Sequence, residues 1–228
     1  MLRWPTLAAT AALHALLILV PAWALAAASG AAPRLTPACC ALLTLACAWS
    51  VLEARWTSAS GARDSGAQGR APALQGALLW LLMICAASAL LGVPGPGTPN
   101  VRVGATLLCL GVGLRLAAIV TLGRQFRTRL EGAPDEALIT RGLYGWVRHP
   151  SELGNVCIAL GLAALADAGP FVALVAAAAL TLAVLRVRLE DAALARSHGP
   201  RFAAHAVAVG AWLPLRAFRS RLFAPMNR

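Results

Sequence analysis

The sequence predicts an all-α, multispanning membrane helix bundle of five to six transmembrane helices. The last two form a tight helical hairpin, and a cytoplasmic C-terminal helical tail follows. Three observations carry this prediction. The composition is 59% hydrophobic, with a mean hydropathy of +0.71, whereas soluble domains run near roughly 45–50% apolar. The apolar residues gather into long runs, and about 20 helical residues cover a hydrocarbon core of roughly 30 Å. The net charge of +11 comes from Arg concentrated between particular runs, as expected where cations flank spans and face anionic lipid. A pI near 11.3 also fits nucleic-acid binders, but no basic-aromatic module is recognisable, so nucleic acid is not an expected partner.

The first run covers residues 5–29, broken only by His14, Pro21 and small polar residues. Arg3 before an apolar core also fits a signal peptide. A run of about 25 residues is too long for the usual apolar region of one, so a retained span is expected. Further runs cover 36–52, 73–92 and 101–122. Between them, Ser58–Pro72 reads as a flexible linker, and Gly92–Pro99 as a compact turn. Residues 151–166 and 169–187 form a final pair, split at Asp167-Ala168-Gly169-Pro170. Gly-Pro between apolar runs is a turn signal, which gives the hairpin.

Arg placement supplies an orientation. The 53–72 loop carries Arg55, Arg63 and Arg70, and the 123–148 segment carries five more. The alternate loops carry only Arg34 and Arg102. The Arg-rich loops and both termini are therefore expected on the cytoplasmic side, in a bacterial inner membrane. No internal repeat is evident. One membrane domain is expected, with four spans in 1–122, a functional region in 123–214 and a basic tail in 215–228.

The six cysteines, Cys39, Cys40, Cys47, Cys85, Cys109 and Cys157, all lie in apolar runs. None forms a C-x-x-C pair or has a His at ligand spacing, so they read as packing residues and no metal is expected. Arg115 lies inside the fourth run, about two turns from its cytoplasmic end. Snorkelling is the expected explanation, although an intramembrane charge also suggests a site.

Arg148-His149-Pro150 is the main candidate for chemistry. Pro is favoured in the first turn of a helix, which places His149 near the N-cap and Glu152 in the first turn. Glu152 either complements the helix dipole or faces an acceptor channel beside Arg148 or another Arg. Helix N–H groups, Arg148 and His149 can together bind an anionic group. Glu190-Asp191 is either a charged helix end or a carboxylate pair that holds vicinal hydroxyls or a cation. Arg186 and Glu190, at i, i+4, are spaced to pair. Gly199-Pro200 should break the last helix after His198. A short helix with Phe202 and His205 should follow, as an interfacial anchor or a lid.

The ordered set Leu122-Gly-Arg-Gln-Phe126, Leu138–Pro150 with its Arg148-His149-Pro150, Gly154, Gly169-Pro170, Arg188–Leu194, His198-Gly199 and Phe202 resembles the isoprenylcysteine carboxyl methyltransferase family and its bacterial relatives. The likeness covers roughly residues 105–214. It implies a multispanning membrane enzyme that uses S-adenosylmethionine. It implies a lipophilic small-molecule or lipid-modified substrate, with membrane lipids as surroundings. It further implies that Arg148, His149, Pro150, Gly154, Glu190 and Asp191 lie at the cofactor; Tyr144 and His198 are further candidates to hold it, and Glu152 and Arg148 are the candidate catalytic residues. Two departures stand out. Glu152 occupies a position usually taken by Tyr, and His205 that of a second aromatic residue. Other readings are an NADPH-dependent membrane reductase of the sterol-reductase type and a non-catalytic membrane protein with a relict site.

Overall fold

A computed structural model describes residues 4–30, 36–45, 48–49, 67–91, 100–123, 137–166 and 169–213. Its helices are α1 (Trp4–Ala28), α2 (37–45), α3 (Ala67–Leu90), α4 (Val101–Leu122), α5 (Pro150–Leu165) and α6 (Pro170–Ala208). A 3-10 turn at Gly142–Gly145 precedes α5. Among the described residues the only β pairing is an isolated parallel bridge between Val147 and Gly210. The all-helical expectation therefore holds for them. The remainder of the 58–72 linker, the 92–99 turn, residues 124–126, Asp167, the side chain of His14 and the tail from 214 lie outside the described residues.

α3 begins at Ala67, six residues inside the expected linker. Ala, Gln and Arg at its start are good helix formers and extend the apolar run that follows. α1 and α3 pack through stripes at four-residue spacing: Ile18, Ala22 and Ala26 on one, Leu82, Ala86 and Leu90 on the other, all buried. Positions four apart lie on one helix face, and the small residues let the backbones approach. α3 also packs on α5 and α6, so it forms the centre of the bundle.

The tightest contact is between α4 and α5. Gly104 faces Gly161 and Leu165, while Gly111 faces Gly154 and Ile158, so the helices run antiparallel. A Cβ at Gly111 would lie 2.6 Å from the Gly154 carbonyl oxygen, and one at Gly154 would lie 2.7 Å from that of Gly111. Two glycines seven residues apart on each helix thus permit a crossing that any side chain would block. At the far end, the Asn100 side chain caps the Val103 N–H, and its own N–H donates to Ala164 O at 2.9 Å.

The expected hairpin is present, with α5 and α6 joined across 166–169. However, α6 does not stop near 187. It runs to Ala208, bent at Gly199, whose φ of 50° and ψ of −124° leave the helical region. Such φ values suit glycine, and Pro200 can begin the second segment because a first-turn residue needs no N–H. The break after His198 is where the sequence predicts it. Glu190 and Asp191, by contrast, lie inside a continuous helix rather than at its end. Among the described residues, α4 and α6 are long and apolar enough to cross a membrane. The apolar stretches Ala15–Ala28, Leu74–Leu90 and Pro150–Leu165 are shorter.

Candidate functional site

The site is assembled where the start of α5 meets the middle of α6. Pro150 opens α5, and His149 is the N-cap residue but makes no side-chain cap hydrogen bond. Its imidazole is therefore free to turn toward α6, where Nε2 lies 2.7 Å from Asp191 Oδ1 and Nδ1 lies 3.4 Å from Glu190 Oε2. Burial by itself would lower the His149 pKa. Hydrogen bonds to Asp191 and Glu190, and their charges, outweigh it and raise the pKa to about 9. The ring is thus an imidazolium at neutral pH, with Nε2 donating to Asp191 and Nδ1 at ion-pair distance from Glu190.

Arg148 takes the other oxygen of Asp191, donating from a terminal guanidinium nitrogen to Oδ2 at 2.9 Å. Its second terminal nitrogen donates to the carbonyls of Ala206 at 2.9 Å and Val209 at 3.1 Å. Phe202 stacks under the guanidinium at 5.8 Å. The main chain completes this link, because the N–H groups of Arg148 and His149 donate to Gly210 O and Ala211 O. The segment after the Gly199 bend is consequently strapped to the start of α5. Arg148 braces three parts of the chain at once, using the forked donor geometry that Lys lacks.

One turn further along α5, Glu152 is 2% exposed. Its Oε2 accepts from Gln75 at 3.0 Å and Asn155 at 3.1 Å. Arg186 Nε lies 3.2 Å from Oε1, at ion-pair distance but without hydrogen-bond alignment. Arg186 also donates to Gln75 Oε1 at 3.3 Å. The expected Arg beside Glu152 is therefore Arg186 rather than Arg148. Arg186 is directed to Glu152, and the i+4 acid Glu190 turns to His149, so their expected mutual pairing is not the one formed.

Arg115 corrects a further expectation. It does not snorkel: it is 6% exposed, donates to Ser151 Oγ at 3.0 Å, and has Trp49 5.2 Å from its guanidinium carbon. The Gly111–Gly154 crossing holds α4 against α5 one turn away and aims Arg115 at the α5 N-terminus. Tyr144, in the 3-10 turn, is partly buried, and its hydroxyl makes no hydrogen bond among the described residues. Burial, followed by the nearby Glu190 charge, pushes its pKa well above the usual value, so it stays a proton donor.

Of the residues singled out from sequence, Arg148, His149, Glu190 and Asp191 form one cluster. Glu152 lies one turn away in a second cluster. Pro150 shapes the helix start, and Gly154 lies in the α4–α5 crossing. His198 stands two helical turns beyond Asp191, at the bend. Gln75, Asn155, Arg186 as a partner of Glu152, and the carbonyls of Ala206 and Val209 were not singled out. A polar residue at the apolar border of α3 is the one signal that marks Gln75. A backbone carbonyl leaves no mark in a sequence.

Fold and site together define a helical protein with two described helices long and apolar enough to cross a membrane and with paired charges at one end of a tight helix crossing. Residues 104–196 match the sequence profile of the isoprenylcysteine carboxyl methyltransferase family. A Protein-S-isoprenylcysteine O-methyltransferase of Tribolium castaneum is 40% identical over 55 residues, which is 23% of this chain and 20% of that relative. No solved structure gives a significant match. The likeness read from the motifs is thereby supported: residues 104–196 are similar to the isoprenylcysteine carboxyl methyltransferase family, and the chain spans about a fifth of the length of the curated relative it matches. The matched region contains every residue of the two charge clusters except Gln75.

Proposed function

We propose that the protein is an integral membrane methyltransferase that uses S-adenosylmethionine and acts on a lipophilic acceptor. The observation that carries this is the convergence of Arg148 and His149 with Glu190 and Asp191, 41 to 43 positions later, inside the family-matched region. Membrane residence is supported by the inverted polarity of the bundle. Leu16, Leu17 and Val20 of α1 and Leu174 of α6 are exposed, while Gln75, Arg115, His149 and Glu152 are buried. Large apolar side chains outside and paired polar ones inside suit a lipid surrounding. Five to six spans, with the Arg-rich loops cytoplasmic, remain the topology that the Arg asymmetry favours.

The side chains fit such a cofactor. Glu190 is 37% exposed and offers acceptor oxygens beside His149, suited to vicinal hydroxyls or an ammonium group. Tyr144 offers an uncommitted hydroxyl, and Arg148 Nε is buried without a hydrogen-bond partner among the described residues. When bound, S-adenosylmethionine supplies a methyl group already activated on a sulfonium, which an acceptor displaces in line. The protein's task is then positioning and exclusion of water. The His149 imidazolium holds Glu190 and Asp191 in place. Arg148 fixes Asp191 against the 206–211 strap. A carboxylate acceptor needs no base, whereas an amine, hydroxyl or thiol needs a proton acceptor, and Glu190 is the most exposed acid of the cluster.

The direct test is thermal stabilisation of the purified full-length protein. S-adenosylhomocysteine at 100 times its dissociation constant should stabilise by about 2.7 kcal/mol, and NADPH should not. Stabilisation by NADPH alone would favour the reductase reading, and stabilisation by neither a relict site. Reporter fusions at Gly66 and Arg228 should both report the cytoplasmic side.

A further inference from the structure

We infer that Glu152 and Arg186 are positioning residues that set the gap between the α5 N-terminus and the Glu190–Asp191 turn of α6, without meeting the acceptor. The inference rests on the methyltransferase reading of that pocket.

The arrangement is a crossed pair of opposite polarity. α5 contributes a base, His149, and three residues later an acid, Glu152. α6 contributes an acid, Glu190, and four residues earlier a base, Arg186. Each base meets the acid of the other helix, at 3.4 Å for His149–Glu190 and 3.2 Å for Arg186–Glu152. Residues three or four apart share a helix face, so two faces are matched at two points. Two points fix the sliding register of the helices as well as their separation. A slip of one residue, about 1.5 Å, would break both pairs.

The inner pair is closed to an acceptor. Glu152 Oε2 already accepts two hydrogen bonds, and Oε1 faces Arg186. Gln75 of α3 donates to Glu152 and accepts from Arg186, which ties a third helix to the same point. A buried pair that loses one partner leaves an uncompensated charge, and the helices must move to relieve it. Displacements near 1 Å at a reacting centre cost large factors in rate. The outer pair is the one that opens to the surface, through Glu190.

The test uses the full-length protein in lipid nanodiscs, with Glu152→Gln, Gln75→Met, Arg186→Met and Arg186→Lys. Three quantities are measured: the melting temperature, S-adenosylhomocysteine binding by calorimetry, and the His149 titration midpoint by NMR of labelled histidine. Arg186→Lys should stay within about threefold of the parent in affinity, because a cation still faces Glu152. Arg186→Met and Glu152→Gln should each weaken binding about tenfold, the scale of a lost charge-assisted contact. Both should lower the His149 midpoint, and the double variant Glu152→Gln/Arg186→Met should bind no worse than either single one. Should Glu152→Gln fail to fold, Gln75→Met carries the same expectation with no charge removed. Wild-type affinity and an unmoved His149 midpoint in Arg186→Met and Gln75→Met would overturn the proposal. So would equal losses in Arg186→Lys and Arg186→Met. A parent protein that binds no S-adenosylhomocysteine would sink the methyltransferase reading instead, and the His149 midpoints would still decide the positioning role.

Discussion

Asp191 is shared by the two consecutive residues that precede α5: its Oδ1 lies 2.7 Å from His149 Nε2 and its Oδ2 lies 2.9 Å from Arg148. One carboxylate therefore holds two cations whose side chains leave adjacent backbone positions. Glu190, next along α6, has only the longer contact to His149 and is the more exposed of the two acids. This asymmetry predicts separate roles. Asp191→Asn should cost stability, on the order of 2 kcal/mol or more, because two buried cations lose their common counter-charge. Glu190→Gln should change the melting temperature little and weaken S-adenosylhomocysteine binding more. Melting curves and calorimetry on both variants check the ordering.

His149 sets a pH dependence with a defined sign. Its folded pKa of about 9 lies above its unfolded value of about 6.5. The folded state therefore holds the proton more tightly. The resulting stability is fully present below about pH 6.5 and is lost as pH rises through about 9. The melting temperature should fall across that window, by the equivalent of at most about 3 kcal/mol. His149→Gln should flatten this part of the profile. A parent protein that gains stability between pH 6.5 and 9 would contradict the paired imidazolium.

Arg148 should act through the strap behind the site. Arg148→Lys keeps the charge but loses the fork that reaches Asp191, Ala206 O and Val209 O together. Hydrogen exchange at residues 200–211 should speed up at least tenfold in this variant, while exchange in α1 should not change. Equal protection of the strap in Arg148→Lys and the parent would remove Arg148 from the bracing role.

The α4–α5 crossing predicts a contrast between glycines. Gly154→Ala and Gly111→Ala place a methyl within 2.7 Å of the opposing backbone, and each should destabilise by about 1–3 kcal/mol through overpacking. Gly113→Ala, with nothing within 4 Å of its new Cβ, should be neutral or stabilise by roughly 0.5–1 kcal/mol. Unfolding in detergent distinguishes the three. A Gly154→Ala protein of parental stability that loses only cofactor binding would return Gly154 to the cofactor-contact role.

The local features of this chain were legible in its sequence because each depends on neighbours in the chain. Pro150 starts α5 after His149, Gly169-Pro170 separates α5 from α6, and Gly199-Pro200 bends α6. All follow from the fixed φ and missing N–H of proline and the conformational freedom of glycine. Apolar run lengths likewise marked the helices, and ordered motifs pointed to the family. Only the tertiary structure decided the pairing of charges. Sequence spacing favoured Arg186 with Glu190, yet Arg186 faces Glu152, and Gln75 reaches both from a helix 77 positions before Glu152. The same holds for Arg115, aimed inward at Ser151 rather than outward. These outcomes depend on how closely α4, α5 and α6 approach and at what register. That is set by the fit of Gly104 and Gly111 into Gly161 and Gly154, a matter of ångströms between backbones that neither hydropathy nor spacing along one helix encodes.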